Sequence, residues 1–296
     1  PISSTTGKTA RLINAGNIEN KGIEVVLTGT PVRTRDFEWN VTVNYSKNTN
    51  KIKELHPELS TYELGSTSFV KVVAREGGSY GDIIGYRYQR DEQGRKIIDS
   101  EGLPLLEANM DNENPIGNYL PKWTGSMNNM FTYKNITFSF MLDLRVGGDI
   151  YMNSLSRGSV YGTTEMSLAG RDEWYAGTGG IVVDGVTEDG QVNTKAANPQ
   201  EYWSRVSRSG EEFLYDGTNL RLRELTIGYI FPKKMLAKTP FTNLKLSFVG
   251  RNLWLIKNNI PGYDPESSYS TGNASGIEYA SFPSMRSFGF NLNVSF

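Results

Sequence analysis

Residues 288–296 read Phe-Gly-Phe-Asn-Leu-Asn-Val-Ser-Phe, and this stretch decides the fold class. Every second residue from Phe288 to Phe296 is apolar, whereas the residues between them are glycine, asparagine or serine. Successive side chains of a strand point to opposite faces of a sheet, so the alternation predicts a strand with one apolar and one polar face. Such a strand lies between an apolar and a polar environment.

The same alternation recurs upstream. Phe138, Phe140 and Leu142 share one parity, and Asp143 and Arg145 share the other. Patterns of this kind predict seven strands, at residues 17–30, 36–50, 119–133, 136–150, 215–231, 242–256 and 284–296.

The predicted strand at residues 215–231 changes phase in its middle. Leu220 and Leu222 lie on one parity, whereas Leu225 and Ile227 lie on the other. One extra residue in the strand restores the alternation, so the sequence predicts a β-bulge at Arg223–Glu224.

The connections between the predicted strands alternate in length. Three of them are short, and the other three, at residues 51–118, 151–214 and 257–283, are long, polar and rich in glycine, tyrosine and asparagine. Outer-membrane barrels have short periplasmic turns and long extracellular loops. The sequence therefore predicts an all-β fold, a transmembrane antiparallel β-barrel with three long extracellular loops.

An odd number of strands and two unpaired edges do not make a complete barrel, because unpaired backbone groups are not tolerated in lipid. Residues Pro1–Thr9 show neither a signal peptide nor a plug. We therefore expect residues 1–296 to be the C-terminal part of a larger barrel.

Composition excludes several classes of protein. The 31 lysines and arginines balance 32 aspartates and glutamates, so no nucleic-acid partner is indicated. Cysteine is absent, which removes disulfide frameworks and thiolate metal sites. The longest apolar run has about four residues, so no transmembrane helix is predicted, and the mean hydropathy of -0.44 is compatible with alternating barrel strands. No catalytic residue, metal site or cofactor is predicted.

Several segments, taken in order, resemble the SusC/RagA family of TonB-dependent outer-membrane transporters. They are spread over most of the chain and are Asn17–Thr30, Gly117–Tyr133, Arg171–Gly180, Leu220–Pro232, Gly250–Leu253, Pro261–Glu266 and Pro283–Phe296. The segment Leu220–Pro232, LRLRELTIGYIFP, matches its family pattern closely.

The resemblance implies a plugged barrel of about 22 strands in the cell outer membrane, surrounded by lipid. It also implies a SusD-like surface lipoprotein that acts as a lid, and TonB-ExbB-ExbD energy coupling through a plug that would precede this chain. The implied function is nutrient uptake in Bacteroidota, the import of oligosaccharides or peptides, and not an enzymatic reaction.

Two alternatives belong to other functional classes. A SusC-like barrel could serve as a scaffold subunit of a surface assembly complex without importing anything. A surface polysaccharide hydrolase built on a β-sandwich would instead have strands of about five or six residues and no aromatic C-terminus.

The long segments carry aromatic side chains, which stack on sugar rings and pack on peptides. The candidate substrate-binding residues are Tyr80, Tyr161, Trp174, Tyr175, Tyr263 and Tyr269. Trp174 and Tyr175 belong to a motif of the resembled family, which also favours a structural role for them. Asp264 lies in a turn sequence and is expected to fix its loop.

Charged residues on barrel strands are costly in lipid, so they are expected to face the lumen or a plug. These residues are Asp143, Arg145, Arg221, Arg223 and Arg251. Phe296, an aromatic residue behind an alternating strand, resembles the signal by which the barrel-assembly machinery recognises its clients.

Overall fold

The computed structural model describes residues 5, 7, 16–57, 59–111, 114–267, 272–273 and 275–296. Within these residues, seven long strands form one antiparallel sheet, here called the main sheet, in which each strand pairs with its neighbours along the chain. The strands are β1 (Gly16–Arg33), β2 (Phe37–Leu55), β3 (Trp123–Tyr133), β4 (Ile136–Val146), β5 (Asn219–Ile230), β6 (Asn243–Asn258) and β7 (Ser287–Ser295). The predicted all-β fold and the seven strands are confirmed, and β1 and β7 lie at the two edges of the sheet.

The main strands are 9 to 19 residues long. Strands of a β-sandwich average about five or six residues, so the hydrolase alternative does not fit this sheet.

Several strand boundaries differ from the prediction. The strand predicted to continue to residue 150 ends at Val146, because Gly147 and Gly148 have φ angles of 73° and 85° and turn the chain out of the sheet. Positive φ is accessible to glycine at little cost. In the other direction, β2 continues beyond the predicted residue 50, since its last residues pair with the start of β1.

The register places apolar and polar side chains on opposite faces of the main sheet. Leu142 lies opposite Leu222, and Phe248 lies opposite Phe290, so their side chains share the apolar face. Asp143 lies opposite Arg221 on the other, polar face. The predicted alternation of faces is therefore confirmed across these strands.

The bulge in β5 is also confirmed. Against β4 the register shifts between Leu222 and Glu224 so that Arg223 is the extra residue, whereas against β6 two residues, Asn252 and Leu253, lie opposite Arg223. Asn252 on β6 faces this bulge with a φ of 51°, a left-handed conformation that asparagine tolerates better than most residues. Its side-chain oxygen accepts a hydrogen bond from Arg223 at 2.9 Å.

The connections alternate in length as predicted. Residues 34–36, 134–135 and 231–242 join strands at one end of the main sheet. Residues 56–122, 147–218 and 259–286 join strands at the other end, because the sheet is antiparallel and its strands follow chain order. We call the described residues of these three long connections the cap.

The cap consists of short strands and helices. The short strands are Thr61–Ser66, Val70–Arg75, Tyr80–Gly85, Ile97–Ile98, Gly117–Asn118, Asp149–Met152, Ile181–Val182, Val186–Thr187, Ala196–Ala197, Leu214–Asp216 and Ile277–Glu278. The helices in the described part of the chain are α1 (Asn153–Val160), α2 (Arg171–Tyr175), α3 (Pro199–Val206) and α4 (Lys233–Leu236), with a 3₁₀ turn at Glu165–Leu168. Helix α4 lies in a short connection outside the cap. Among the described residues, no helix is long and apolar enough to cross a membrane.

The three long connections fold together around one hydrophobic core. Val72 comes from the first connection, Tyr151 and Phe213 from the second, and Ile277 from the third, and all four are buried in the same cluster. Backbone pairing adds to this packing, since Tyr151 lies beside Ile277 in a parallel bridge. The cap is therefore one folded body at one end of the sheet.

Tyr119 shows how closely the connections approach each other. A Cβ atom on Gly81 would lie 2.3 Å from the Tyr119 ring, and one on Gly276 would lie 2.5 Å from the Tyr119 Cβ. Both glycines also have positive φ, of 87° and 99°. The first and third connections can meet at Tyr119 only because these positions lack side chains.

Candidate functional site

An open cleft of about 320 Å³ lies on the cap between α1, α2 and α3. Tyr161 follows α1, Trp174 and Tyr175 end α2, and Trp203 lies in α3, and all four line the cleft together with Arg171. We call this feature the aromatic cleft. Three of the six aromatic residues predicted from the sequence to bind substrate therefore line the same cleft.

Local sequence signals build the walls of the aromatic cleft. Asn198 precedes α3 and its side-chain oxygen accepts the Gln200 N–H at 2.9 Å, which satisfies one free donor of the helix. Pro199 follows in the first turn, a position that needs no N–H. Gly170 precedes α2 with a φ of 69°, and the Arg171 guanidinium donates to the Ser167 carbonyl at 3.2 Å. These contacts orient the helices that carry the aromatic rings.

The chemistry of the aromatic cleft suits a ligand with rings or hydrogen-bond acceptors. The side chains of Tyr161 and Tyr175 are open, at 78% and 81% exposure, and Trp174 is partly open at 37%. Trp203 is buried, and its indole N–H has no hydrogen-bond partner among the described residues. The open tyrosine side chains offer rings for stacking and hydroxyl groups that can donate to a ligand acceptor.

The other proposed aromatic residues lie elsewhere. Tyr80 packs in a separate cluster with Ile52 and Ala74, where burial raises the pKa of its phenol. Tyr263 packs against the core of the cap. Tyr269 lies outside the described residues. Their role in substrate binding stays a prediction, and neither Tyr80 nor Tyr263 lines the aromatic cleft.

The charged residues proposed for the lumen lie on the polar face, and their partners come from this chain. Arg221 is buried and pairs with Asp264 at 2.5 Å, and it also donates to the Ser284 hydroxyl at 2.5 Å. Arg223 pairs with Asp143 at 2.6 Å and with Glu266. We call these six residues the polar-face ion cluster.

Asp264 fixes its loop, as the sequence predicted. Its carboxylate accepts the backbone N–H groups of Glu266 and Ser284, each at 3.0 Å. Burial acts to raise the pKa of Asp264, but these hydrogen bonds, that of the Ser284 hydroxyl and the Arg221 charge outweigh burial and hold the pKa below its usual value. The ion cluster thereby ties the third connection of the cap to β5.

The remaining proposed charges make simpler contacts. Arg145 is partly buried and donates to the Tyr119 carbonyl at 2.7 Å. Arg251 pairs with Glu224 at 3.0 Å near the surface. Partners within the chain thus account for these arginines, and additional pairing with a plug stays a prediction.

Phe296, the proposed assembly signal, completes the residues discussed from sequence. The Phe296 ring is exposed and packs edge-on against Phe241, with 5.4 Å between the ring centroids. Its role in assembly stays a prediction.

Four residues that these sites use were not selected as site candidates from the sequence. Trp203 and Arg171 line the aromatic cleft, and Glu266 and Ser284 belong to the ion cluster. A signal existed for Glu266, since it ends the segment PGYDPE that contains Asp264. No local pattern distinguishes Trp203 from a core tryptophan.

No family model matches the chain, but several known proteins are similar to it in sequence. The TonB-dependent receptor P3 of Formosa agariphila is 28% identical over 323 residues, which cover 100% of this chain and 30% of the relative. The TonB-dependent receptor SusC of Bacteroides thetaiotaomicron is 25% identical, over 96% of this chain and 27% of SusC. The chain thus spans about a third or less of the length of these relatives.

Solved structures show the same fold. The RagAB peptide transporter matches 100% of this chain and 31% of its own chain, with a TM-score of 0.66 and 18% identity. The RagAB peptide importer in its open-open state matches with a TM-score of 0.64 and 17% identity. At this identity the likeness establishes the fold alone.

Proposed function

Because the chain is a homologue of the TonB-dependent receptors, SusC included, we propose that it forms part of the wall of an outer-membrane nutrient importer. The observation that carries this proposal is the main sheet, whose apolar and polar faces are separated along strands of 9 to 19 residues. A strand of about 9–11 residues suffices to cross a bilayer. The apolar face would contact lipid and the polar face would line the lumen.

In this proposal residues 1–296 contribute strands to a closed barrel of about 22 strands, a size class that holds a plug in its lumen. The cap would lie on the extracellular side, because long connections of outer-membrane barrels face outward. Energy from TonB-ExbB-ExbD would reach the barrel through its plug. No covalent chemistry is part of this function.

The cap is the proposed place for the partner and the substrate. A SusD-like lipoprotein would cover it as a lid, and an oligosaccharide or peptide would be held between lid and cap. RagAB is described as a peptide transporter, whereas the names of P3 and SusC give no substrate. The open rings of the aromatic cleft support contact with one of these ligands.

The aromatic cleft gives the first test. Replacing Trp174 and Tyr175 together with alanine is expected to weaken uptake of the growth substrate about tenfold, since each ring contributes roughly 0.5–1.5 kcal/mol through stacking. The measurement is uptake of labelled substrate by cells that carry the intact protein at equal surface levels.

The matched control is Tyr62→Ala, which removes an exposed ring of the cap that does not line the aromatic cleft. We expect wild-type uptake in this control. Wild-type uptake in the double variant would show that the aromatic cleft has no part in import. A protein that acts only as a scaffold would import no substrate in any form, wild type included.

A further inference from the structure

The three short connections of the main sheet concentrate positive charge at the end opposite the cap. Residues 34–36, 134–135 and 231–242 contain five lysines or arginines and one acidic residue, Asp36, whereas the whole chain has a formal net charge of -1. We call the five cationic residues the basic rim, and they are Arg35, Lys134, Lys233, Lys234 and Lys238.

The side chains of the basic rim are open to an outside partner. All five residues are exposed. Among the described residues, no carboxylate forms an ion pair with any of them. Arg33, just before the first short connection, differs because it pairs with Glu38 at 3.0 Å. The chain therefore leaves the charge of the basic rim uncompensated, and the rim attracts anions.

The basic rim extends across the whole sheet. Two strands separate each short connection from the next, and neighbouring strands lie about 4.8 Å apart. Arg35 and the lysines of the third short connection are therefore roughly 20 Å apart, with Lys134 between them. One small anion does not reach across this distance, so the arrangement favours an extended anionic surface.

A row of aromatic side chains adjoins the basic rim on the apolar face. Tyr133 ends β3, Tyr229 lies near the end of β5, and Phe296 follows β7, and all three are exposed within this chain. Tyr133 and Tyr229 both lie opposite Ile136 of β4, which places them on the apolar face. The Lys134 ammonium lies 5.4 Å from the centroid of the Tyr133 ring. Aromatic rings form such girdles where the hydrocarbon of a bilayer meets the headgroups.

The third short connection is folded onto the strands that it joins. The Phe231 N–H donates to the Leu244 carbonyl at 2.9 Å, and Leu236 of α4 is buried. Met235 is exposed instead, between the exposed lysines of the same connection. Lysines beside an outward apolar side chain are typical of a segment that lies on a membrane surface.

We propose that the basic rim binds the anionic headgroups of phospholipids in the leaflet at this end of the main sheet, an inference that rests on the proposed membrane wall. The ammonium and guanidinium groups pair with headgroup phosphates, and the aromatic row lies where the acyl chains begin. These contacts fix the depth of the wall in the bilayer. A soluble phosphate has no apolar part to cover the exposed rings. An acidic protein would have to displace lipid from those rings.

Quenching of a fluorophore in the basic rim tests this proposal. The intact protein carries the label on Ala237→Cys, between Lys234 and Lys238, and is reconstituted in phosphatidylcholine nanodiscs. The quenchers are phosphatidylglycerol and phosphatidylcholine, each with a nitroxide near its headgroup. We expect the anionic lipid to reach half-maximal quenching at a mole fraction at least about fivefold lower, since one lysine near an anionic lipid strengthens the attraction about that much. Added salt should reduce this preference by screening.

Charge variants identify the residues responsible. Changing Lys233, Lys234 and Lys238 together to glutamine should remove the preference, and changing them together to arginine should retain it. The matched control changes three exposed lysines toward the cap ends of β2 and β6 to glutamine and should keep the wild-type preference. The control lysines are Lys47, Lys51 and Lys257.

Three results would overturn the basic rim alone. They are equal quenching by the two lipids in the wild-type protein, an unchanged preference in the triple glutamine variant, and loss of the preference in the control. Displacement of the anionic quencher by soluble glycerophosphoglycerol would assign the rim to soluble anions, and displacement by pentaglutamate would assign it to an acidic protein, so either would also overturn it. Absence of quenching by both lipids would instead contradict the membrane wall itself.

Discussion

Replacing Arg221 with methionine is expected to lower the free energy of unfolding by about 3–5 kcal/mol, the usual cost of breaking a buried ion pair on one side. The Arg221 side chain is only 4% exposed, and that of Asp264 is 9% exposed. Without the guanidinium, the Asp264 carboxylate stays buried with its charge uncompensated. The third connection of the cap should then detach from β5. Urea unfolding of the intact protein in detergent measures the loss, and proteolysis within residues 259–286 reports the detachment.

Arg251→Met is the matched control for this experiment. Arg251 also pairs with a carboxylate, that of Glu224, but its side chain is 65% exposed. Exposed ion pairs contribute about 1 kcal/mol or less, so this change should have a small effect. The double variant Arg221→Met with Asp264→Leu should recover much of the lost stability, because no unpaired charge remains. Equal effects of the two single changes would contradict the role of the ion cluster.

A charge on the apolar face should also have a large effect. Phe290 lies near the middle of β7, with its side chain 78% exposed within this chain. Arginine at the lipid-facing midplane of a barrel costs about 2–4 kcal/mol, so Phe290→Arg should lower both stability and the amount of protein in the outer membrane. The neighbouring Asn291→Arg places the same charge on the polar face and should have little effect.

The comparison between these two positions is informative because both side chains are exposed within the chain. A sheet surrounded by water on both faces would tolerate arginine equally at either position. Quantifying the two variants in purified outer membranes, with urea unfolding as a second measurement, therefore distinguishes a membrane wall from a water-exposed sheet. Equal levels and equal stability would reject the proposed orientation.

The main sheet could be predicted from the sequence because the pattern that specifies each strand lies within that strand. Alternation from Phe288 to Phe296 and the phase change between Leu222 and Leu225 each depend on residues within one strand, and the structure confirms both patterns. Strand ends were less predictable. The exit of the chain at Gly147 depends on backbone angles that the apolar pattern does not encode.

The sites of the cap were only partly predictable. Tyr161, Trp174 and Tyr175 were recognised as loop aromatics, but their meeting with Trp203 depends on how α1, α2 and α3 pack. The partners Arg221 and Asp264 are 43 residues apart, and no short motif connects them. Contacts between residues so far apart in the sequence depend on how the cap folds, which composition and periodicity do not reveal.

Site-directed labelling tests the central claim most directly, since the chain has no cysteine of its own. Single cysteines at Phe140, Asp143, Phe290 and Asn291 in the intact protein would carry an environment-sensitive fluorophore in outer membranes. We predict that a lipid-attached quencher acts on the labels at Phe140 and Phe290, whereas a water-soluble quencher acts on those at Asp143 and Asn291. Equal quenching of the labels at Phe290 and Asn291 by the lipid-attached quencher would contradict the account of a membrane wall with one lipid-facing and one polar face.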